Sequence, residues 1–305
     1  MAAPRLTAAA LPRTSATSLA ATLRNYFELT KFRLSLMNVI TAVLAYFAAG
    51  PAFSWLVFTS LVLGTALAAF GAAALNQVAE HQEDARMRRT ADRPVAAGKL
   101  SLGAALAFGL AISLGGVGLL ALGVNFAASA LAAATILLYV LAYTPLKKLS
   151  PSATEVGAIP GALPPLIGWV AAGAGFSTMG WVLFAFLFAW QIPHFMAISW
   201  TCREDYRRAG FVMHALRDPS GRAVAGRALA WSLLLVVVSL IPVFLGEAGL
   251  TLGVVAWVLG VWMLRKALAW QRQPARDAAA KDLFLATIAY LPTYLGTLAL
   301  DRFLF

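Results

Sequence analysis

The chain has 305 residues, 61% of them apolar and 12% charged, with a net charge of +11 and a mean hydropathy of +0.77. A water-soluble domain carries about a quarter charged residues and about half apolar ones, so the excess apolar surface here has to face lipid. A basic chain this apolar uses its cations to fix membrane topology, which sets aside nucleic acid as a partner. One cysteine, Cys202, excludes an internal disulfide, and a zinc site would need it to converge with His81, His194 and His214 together.

The first thirty residues hold Arg5, Arg13 and Arg24 among many Ala, Ser and Thr, with no acid before Glu28. They read as a flexible segment, either a mitochondrial transit peptide or, preferred because the extension is short, an ordinary bacterial N-terminus. Residues 31–305 read as a single transmembrane domain. Nine apolar stretches follow, beginning near Leu34, Trp55, Ser101, Val124, Val156, Gly180, Gly226, Gly249 and Leu283. Each provides the roughly 20 residues that cross a hydrocarbon layer about 30 Å thick. They are continuous runs of Ala, Leu, Val and Gly, unlike the short alternating strands of a membrane barrel, so the fold class is all-α.

The connections after spans two, four, six and eight, with the N-terminal stretch, hold 23 of 24 Lys/Arg; only Arg302 is left over. The positive-inside rule then places the N-terminus inside and the C-terminus outside. Eleven of 13 Asp/Glu share the inner side, leaving Glu247 and Asp301 outside. Orientation does not explain them, because acids contribute little to it. They gather in two connections four helices apart, Asn76–Leu100 and Thr201–Arg227, which hints at a duplicated half.

At the first connection, a helix continuing past the membrane surface carries Asn76, Glu80 and Asp84 on one face at i, i+4 and i+8. Three oxygen donors along about 12 Å suit one or two hard cations such as Mg²⁺, completed by substrate phosphates. Ordinary charge pairing in a solvated loop explains the spacing equally well. Arg86, Arg88, Arg89 and Arg93 anchor the inner face and also form a bidentate clamp for diphosphate. Between spans four and five lie Lys147 and Lys148, then a run in which Pro160, Pro164 and Pro165 alternate with Gly157, Gly161 and Gly168. That run predicts a kinked, irregular span beside a chamber, because broken backbone at membrane depth needs protein or a cavity around it. At the second connection, His194 sits about one turn inside the membrane, ahead of Arg203, Glu204, Asp205 and Tyr206. An intramembrane imidazole is a functional candidate, with a hydrogen-bonded interhelical His as the plain alternative. His81 and His214 are expected at solvent. Acidic metal stripes and inner-face cations at the mouth of an apolar chamber point to a substrate with a diphosphate head and a lipid tail.

These residues resemble the UbiA-type intramembrane prenyltransferases, and within them the haem-farnesylating (haem O synthase) branch, from about Glu28 onward. The family's first motif, Asn-x-x-x-Asp/Glu-x-x-x-Asp, matches Asn76, Glu80 and Asp84. ELTKFR, the run Met87–Pro94, YTPLK with PPLIGW, WQIPHF and REDY point to that branch. The second motif departs: the superfamily's paired aspartates are four apart, but four residues before Asp205 stands Thr201. The resemblance implies a nine-helix bundle around a central chamber, with farnesyl diphosphate as donor, haem b as acceptor, Mg²⁺ as cofactor, and haem A synthase as a possible neighbour in the membrane. It implies a first metal–diphosphate site at Asn76, Glu80 and Asp84, a second at Glu204 and Asp205, and phosphate contacts from Arg86, Arg89, Arg93, Lys147, Lys148 and Arg203. His194 is expected near haem, because neutral imidazole suits iron. The rival readings are a prenyltransferase for a quinone-ring or chlorin acceptor, and a non-catalytic transporter.

Overall fold

The computed structural model describes residues 18–304, with side chains to Asp301. The expected flexible segment before residue 18, including Arg5 and Arg13, and the side chain of Arg302 lie outside the described residues. In chain order the helices are α1 (Leu19–Leu29), α2 (Phe32–Ala48), α3 (Trp55–Ala79), α4 (His81–Arg86), α5 (Leu102–Gly123) and α6 (Phe126–Leu137). A π-helical turn (Leu138–Tyr143) leads into α7 (Thr144–Leu146), and then come α8 (Ala153–Ala171), α9 (Thr178–Thr201), α10 (Arg203–Ala209) and α11 (His214–Arg217). The chain ends with α12 (Arg222–Phe244), α13 (Leu250–Arg272) and α14 (Asp277–Leu304). There is no strand among the described residues.

A helix stands at each of the nine expected positions, but fewer qualify as independent spans. Seven are long and apolar enough to cross a membrane, and α1 with α2, bent by 48° at Thr30–Lys31, makes an eighth. They make the chain a multi-pass membrane protein. The remaining helix is α8, which buries 14 of its 19 residues against α2, α6 and α9. Its surroundings are protein, so its sequence is under less demand to be uniformly apolar. The broken backbone expected there is absent: α8 is one continuous helix despite Pro160, Pro164 and Pro165. Its glycines serve close approach instead. A Cβ at Gly168 would lie 1.8 Å from the Ala42 carbonyl oxygen, and one at Gly161 would lie 2.0 Å from Gln191 Oε1. At these two positions α8 lies directly against α2 and α9.

Successive long helices pack side by side, and α14 returns against α2 and α9 to close the bundle. The pairing of α3 with α5 rests on small residues: Cβ atoms added at Gly71 or Gly116 would strike Ser113 or the backbone of Ala68. Between lipid-facing helices this contact is dispersion rather than hydrophobic burial, so the closeness of the backbones is what stabilises it. Aromatic side chains fill the other half, where Phe186 stacks on Tyr294 at 4.1 Å and the hydroxyls of Tyr290 and Tyr294 reach Ser239.

Candidate functional site

Two long helices, α3 and α9, end at one end of the bundle in joints of nearly the same backbone conformation. Glu80 closes α3 at φ −106°, ψ 14°, and Cys202 closes α9 at φ −101°, ψ 15°. Short helices α4 and α10 leave from these joints and pack on each other. The i+4 ladder survives the first joint, since the Glu80 N–H donates to Asn76 O and the Asp84 N–H to Glu80 O. Asn76, Glu80 and Asp84 thus keep helical spacing across two helices rather than on one, and all three are nearly fully buried.

Each of the three faces a cation or donor from elsewhere. Lys31 Nζ donates to Asn76 Oδ1 at 2.9 Å, and Asn76 Nδ2 donates to Thr144 Oγ1 at 3.1 Å. Lys147 closes directly on Glu80 Oε1, and Arg93 donates to both oxygens of Asp84 at 2.7 Å. Next to them Lys148 Nζ lies 2.6 Å from Glu83 Oε1. Burial works against a charged Glu83, but the hydrogen bond and charge of Lys148 outweigh it and hold the carboxyl below its ordinary value.

Local chain chemistry explains how the lysines arrive. Pro145 has no N–H, so a regular α-helix cannot continue through it with every carbonyl satisfied. The chain widens into the π turn, Thr144 Oγ1 donates to the Tyr139 carbonyl at 2.8 Å, and Lys147 is swung towards α3. Its ammonium lies 4.7 Å from the Tyr143 ring centre and 5.2 Å from that of Phe211. Lys31 occupies the bend between α1 and α2 at φ +47°, the one positive-φ residue other than glycine among those described. For a side chain with a Cβ this is a costly conformation, and here it carries the ammonium to Asn76.

The segment after α4 and the α10–α11 segment meet over this cluster. Asp205 accepts from the Arg88 N–H at 3.2 Å, Arg89 lies over the Tyr206 ring, and Met87 packs with Phe211 and Met213. Burial raises the Tyr206 phenol above its ordinary value, keeping it a neutral donor.

The structure therefore brings together Asn76, Glu80, Asp84, Arg93, Lys147 and Lys148, with Arg89 and Asp205 at the rim. It does not bring in Glu204, which is exposed and bound to Arg207, or Arg203, which pairs with Asp277 at 3.1 Å. Arg86 is exposed. His214, expected at solvent, is instead tucked 3.4 Å from Glu155 Oε1, whereas His81 is half-buried with Nδ1 2.9 Å from Val78 O. Lys31, Glu83, Tyr143 and Thr144 join the cluster without having been singled out. Lys31 lies in the ELTKFR run, and Glu83 was visible three residues after Glu80.

His194 lies elsewhere, between α9 and α14. Its ring stacks on Trp190 at 4.8 Å and lies 4.9 Å from Phe284, with Nδ1 2.7 Å from Thr287 Oγ1. The Thr287 hydroxyl already donates to Phe284 O at 2.6 Å, so it can only accept from the imidazole. The hydrogen-bond network thus assigns the proton to Nδ1 and leaves the lone pair on Nε2.

The pattern of the UbiA prenyltransferase family matches residues 37–288. The chain belongs to that family. Protoheme IX farnesyltransferase of Opitutus terrae is 46% identical to this UbiA-type prenyltransferase, with 91% of this chain and 94% of the relative covered. The enzyme of the same name from Solibacter usitatus is 41% identical over 92% of this chain and 99% of its own. The mitochondrial one of Arabidopsis thaliana is 36% identical over 92% of this chain and 65% of its own. Among solved structures, one described as digeranylgeranylglyceryl phosphate synthase superposes with a TM-score of 0.78 at 17% identity, covering 93% of this chain and 99% of that one. A UbiA homologue from Archaeoglobus fulgidus bound to GPP and Mg²⁺ gives 0.60 at 15% identity, covering 90% and 99%. These low-identity likenesses establish the UbiA fold for the bundle.

Proposed function

We propose that this UbiA-type prenyltransferase transfers a farnesyl group from farnesyl diphosphate to a vinyl group of haem b, giving haem O. The farnesyl C1–O bond breaks, C1 bonds to the vinyl carbon, and water adds to the neighbouring carbon with loss of a proton. The observation that carries the reading is the buried set Asn76, Glu80 and Asp84 held by Lys31, Lys147 and Arg93, in a chain 46% identical to a named protoheme IX farnesyltransferase.

The donor set consists of hard oxygens, which fits Mg²⁺. Among the described residues no three His, Cys, Asp or Glu side chains converge as a ready metal cage. Asn76, Glu80 and Asp84, with Asp205 across the rim, would hold Mg²⁺, and when bound it neutralises the departing diphosphate. The chain's own cations do the rest. Arg93, Lys147 and Lys148 are paired with carboxylates, and a diphosphate entering the cluster offers them a stronger charge partner; Lys31 and Arg89 add to it. Met87, Phe211 and Met213 above the cluster exclude water while the allylic charge is unquenched.

The open lone pair on His194 Nε2 supports a haem role, since a neutral imidazole oriented through its other nitrogen is an axial ligand ready for iron. His194→Ala is expected to weaken haem binding, followed by its absorption band, more than farnesyl diphosphate binding. Equal loss of both, or none, refutes the assignment. The reading extends to an inner-membrane location with the cluster end inside. A bacterial membrane is favoured because the bacterial relatives reach 46% identity against 36% for the Arabidopsis one. It also includes contact with a haem A synthase, checked by co-purification.

The test is to incubate detergent-purified protein with haem b, farnesyl diphosphate and Mg²⁺, with and without chelator, and to look for the haem O mass. A chelator-sensitive product is expected. Folded protein that binds both substrates without forming it turns the reading towards another prenyl acceptor, and failure to bind farnesyl diphosphate overturns the site.

A further inference from the structure

The α13–α14 corner carries five Lys/Arg that the cluster does not use. Two cavities lie there, of about 650 and 280 Å³, and they share Lys266 and Ala269 as lining, so they form one groove along α13. Its character changes along its length. Trp257, Val261 and Trp262 line the first part, all exposed side chains on a membrane-spanning helix. Arg265 and Lys266 follow one turn later, and Arg272 and Arg276 lie a further two turns on, where the helix leaves the apolar layer. At 1.5 Å per residue the step from Trp257 to Arg265 is about 12 Å and that from Arg265 to Arg272 about 10 Å.

The only acid lining the groove is Asp282, 3.1 Å from Lys266. Among the described residues Arg265, Arg272 and Arg276 form no ion pair, so the basic part keeps a net charge of +3. Topology requires cations at this end of the bundle. It does not require two tiers of them along one cavity that runs up into a tryptophan-lined trough. A trough for an acyl chain leading to a basic pocket is the shape and charge of a bound acidic lipid. Guanidinium groups in the lower tier favour phosphate oxygens over a zwitterionic head, whose own amine they would repel.

We propose that the groove on α13 is a binding site for one acidic glycerophospholipid, its phosphate between Arg265 and Lys266, its head towards Arg272 and Arg276, and an acyl chain along Trp257 and Trp262. The site lies apart from the carboxylate cluster and does not depend on the reading of that cluster.

The full chain, purified in mild detergent, is exchanged into mixtures of phosphatidylglycerol and phosphatidylcholine, and bound lipid is counted by native mass spectrometry. One phosphatidylglycerol per chain is expected to be retained in preference to phosphatidylcholine. In Arg265→Gln/Lys266→Gln the preference falls on the order of tenfold or more, as befits the loss of two cations near the lipid phosphate. Trp262→Ala shortens retention of both lipids, and Lys99→Gln, an exposed cation away from the groove, changes nothing. Thermal unfolding of each variant without added lipid checks that the fold is kept. Equal retention of both lipids by the unaltered protein, or an unchanged preference in the double variant, overturns the proposal and leaves only the annular lipid common to every membrane helix.

Discussion

Lys147→Met separates what the buried cation does for the fold from what it does for turnover. The Lys147 and Glu80 side chains are 10% and 4% exposed, so removing the ammonium strands a carboxylate between the α3–α4 joint and the segment that follows α7. Breaking a buried pair on one side costs about 3–5 kcal/mol, because the remaining ion keeps its desolvation penalty without its partner. Lost contacts of the ammonium with Tyr143 and Phe211 add roughly 0.5–1 kcal/mol each. The ion-pair loss therefore dominates, and at about 2–4 °C per kcal/mol the melting temperature in detergent should drop by roughly 10 °C. In Lys147→Met/Glu80→Gln no charge is stranded, and since replacing both members of a buried pair is often neutral, most of that drop should be recovered. Haem O formation should be lost in both variants. Equal destabilisation of the single and double variants would refute the ion-pair account, and recovery of turnover in the double variant would show that Lys147 only neutralises Glu80.

Asp84→Asn keeps the volume and an acceptor for Arg93 while removing a charge, so turnover should fall about 10²–10³-fold, the typical cost of losing one electrostatic group in an active site, and the melting temperature should fall less than in Lys147→Met, because the stranded Arg93 side chain is 23% exposed and reaches solvent. Gly168→Ala places a methyl against the Ala42 carbonyl and should cost about 1–3 kcal/mol, read as a lower melting temperature. The Glu83 carboxyl is held below its ordinary value of 4.5, so its stabilising effect is present above that value and is lost as pH falls through the depressed native value. Acid unfolding followed by circular dichroism should therefore begin at a higher pH in Lys148→Gln than in the unaltered protein; identical onsets would remove Lys148 as the cause.

The helices were legible because lipid enforces a simple rule, that every backbone polar group be satisfied within the segment while the outer face stays apolar. All nine stretches are helical for that reason, with starts displaced by six residues at most, at α14. The proline and glycine run of α8 was misread because composition reports what a residue permits, not which neighbour it meets. Gly168 could have marked a break, and it marks the approach of Ala42. Lys31 was hidden for a different reason: it is 45 residues from Asn76, and only the bend between α1 and α2 joins them. His214 looked like a solvated loop residue until Glu155, at the start of α8, was placed beside it.

The matched joints at Glu80 and Cys202 account for the asymmetry between the two acidic connections. In joint register Glu80 corresponds to Cys202, Asp84 to Tyr206 and Asn76 to Ile198, so the second half keeps the shape of the first without its two carboxylates and its amide. Asp205 then corresponds to Glu83, not to Asp84, and both act at the edge: Glu83 on Lys148, Asp205 on the Arg88 backbone. Counting back four residues from Asp205 to Thr201 follows the spacing of a single straight helix, whereas the joint resets that count. The burden of binding a metal–diphosphate would therefore rest on α3 and α4, while α10 and the segment after it mainly close over it through Tyr206 and Phe211. A Cys202→Asp variant, which restores a carboxylate at the joint, discriminates between these readings. If joint register governs, the variant should bind Mg²⁺ more tightly than Thr201→Asp, measured by the Mg²⁺ concentration that half-restores haem O formation after chelation. The reverse order would mean that straight-helix spacing governs.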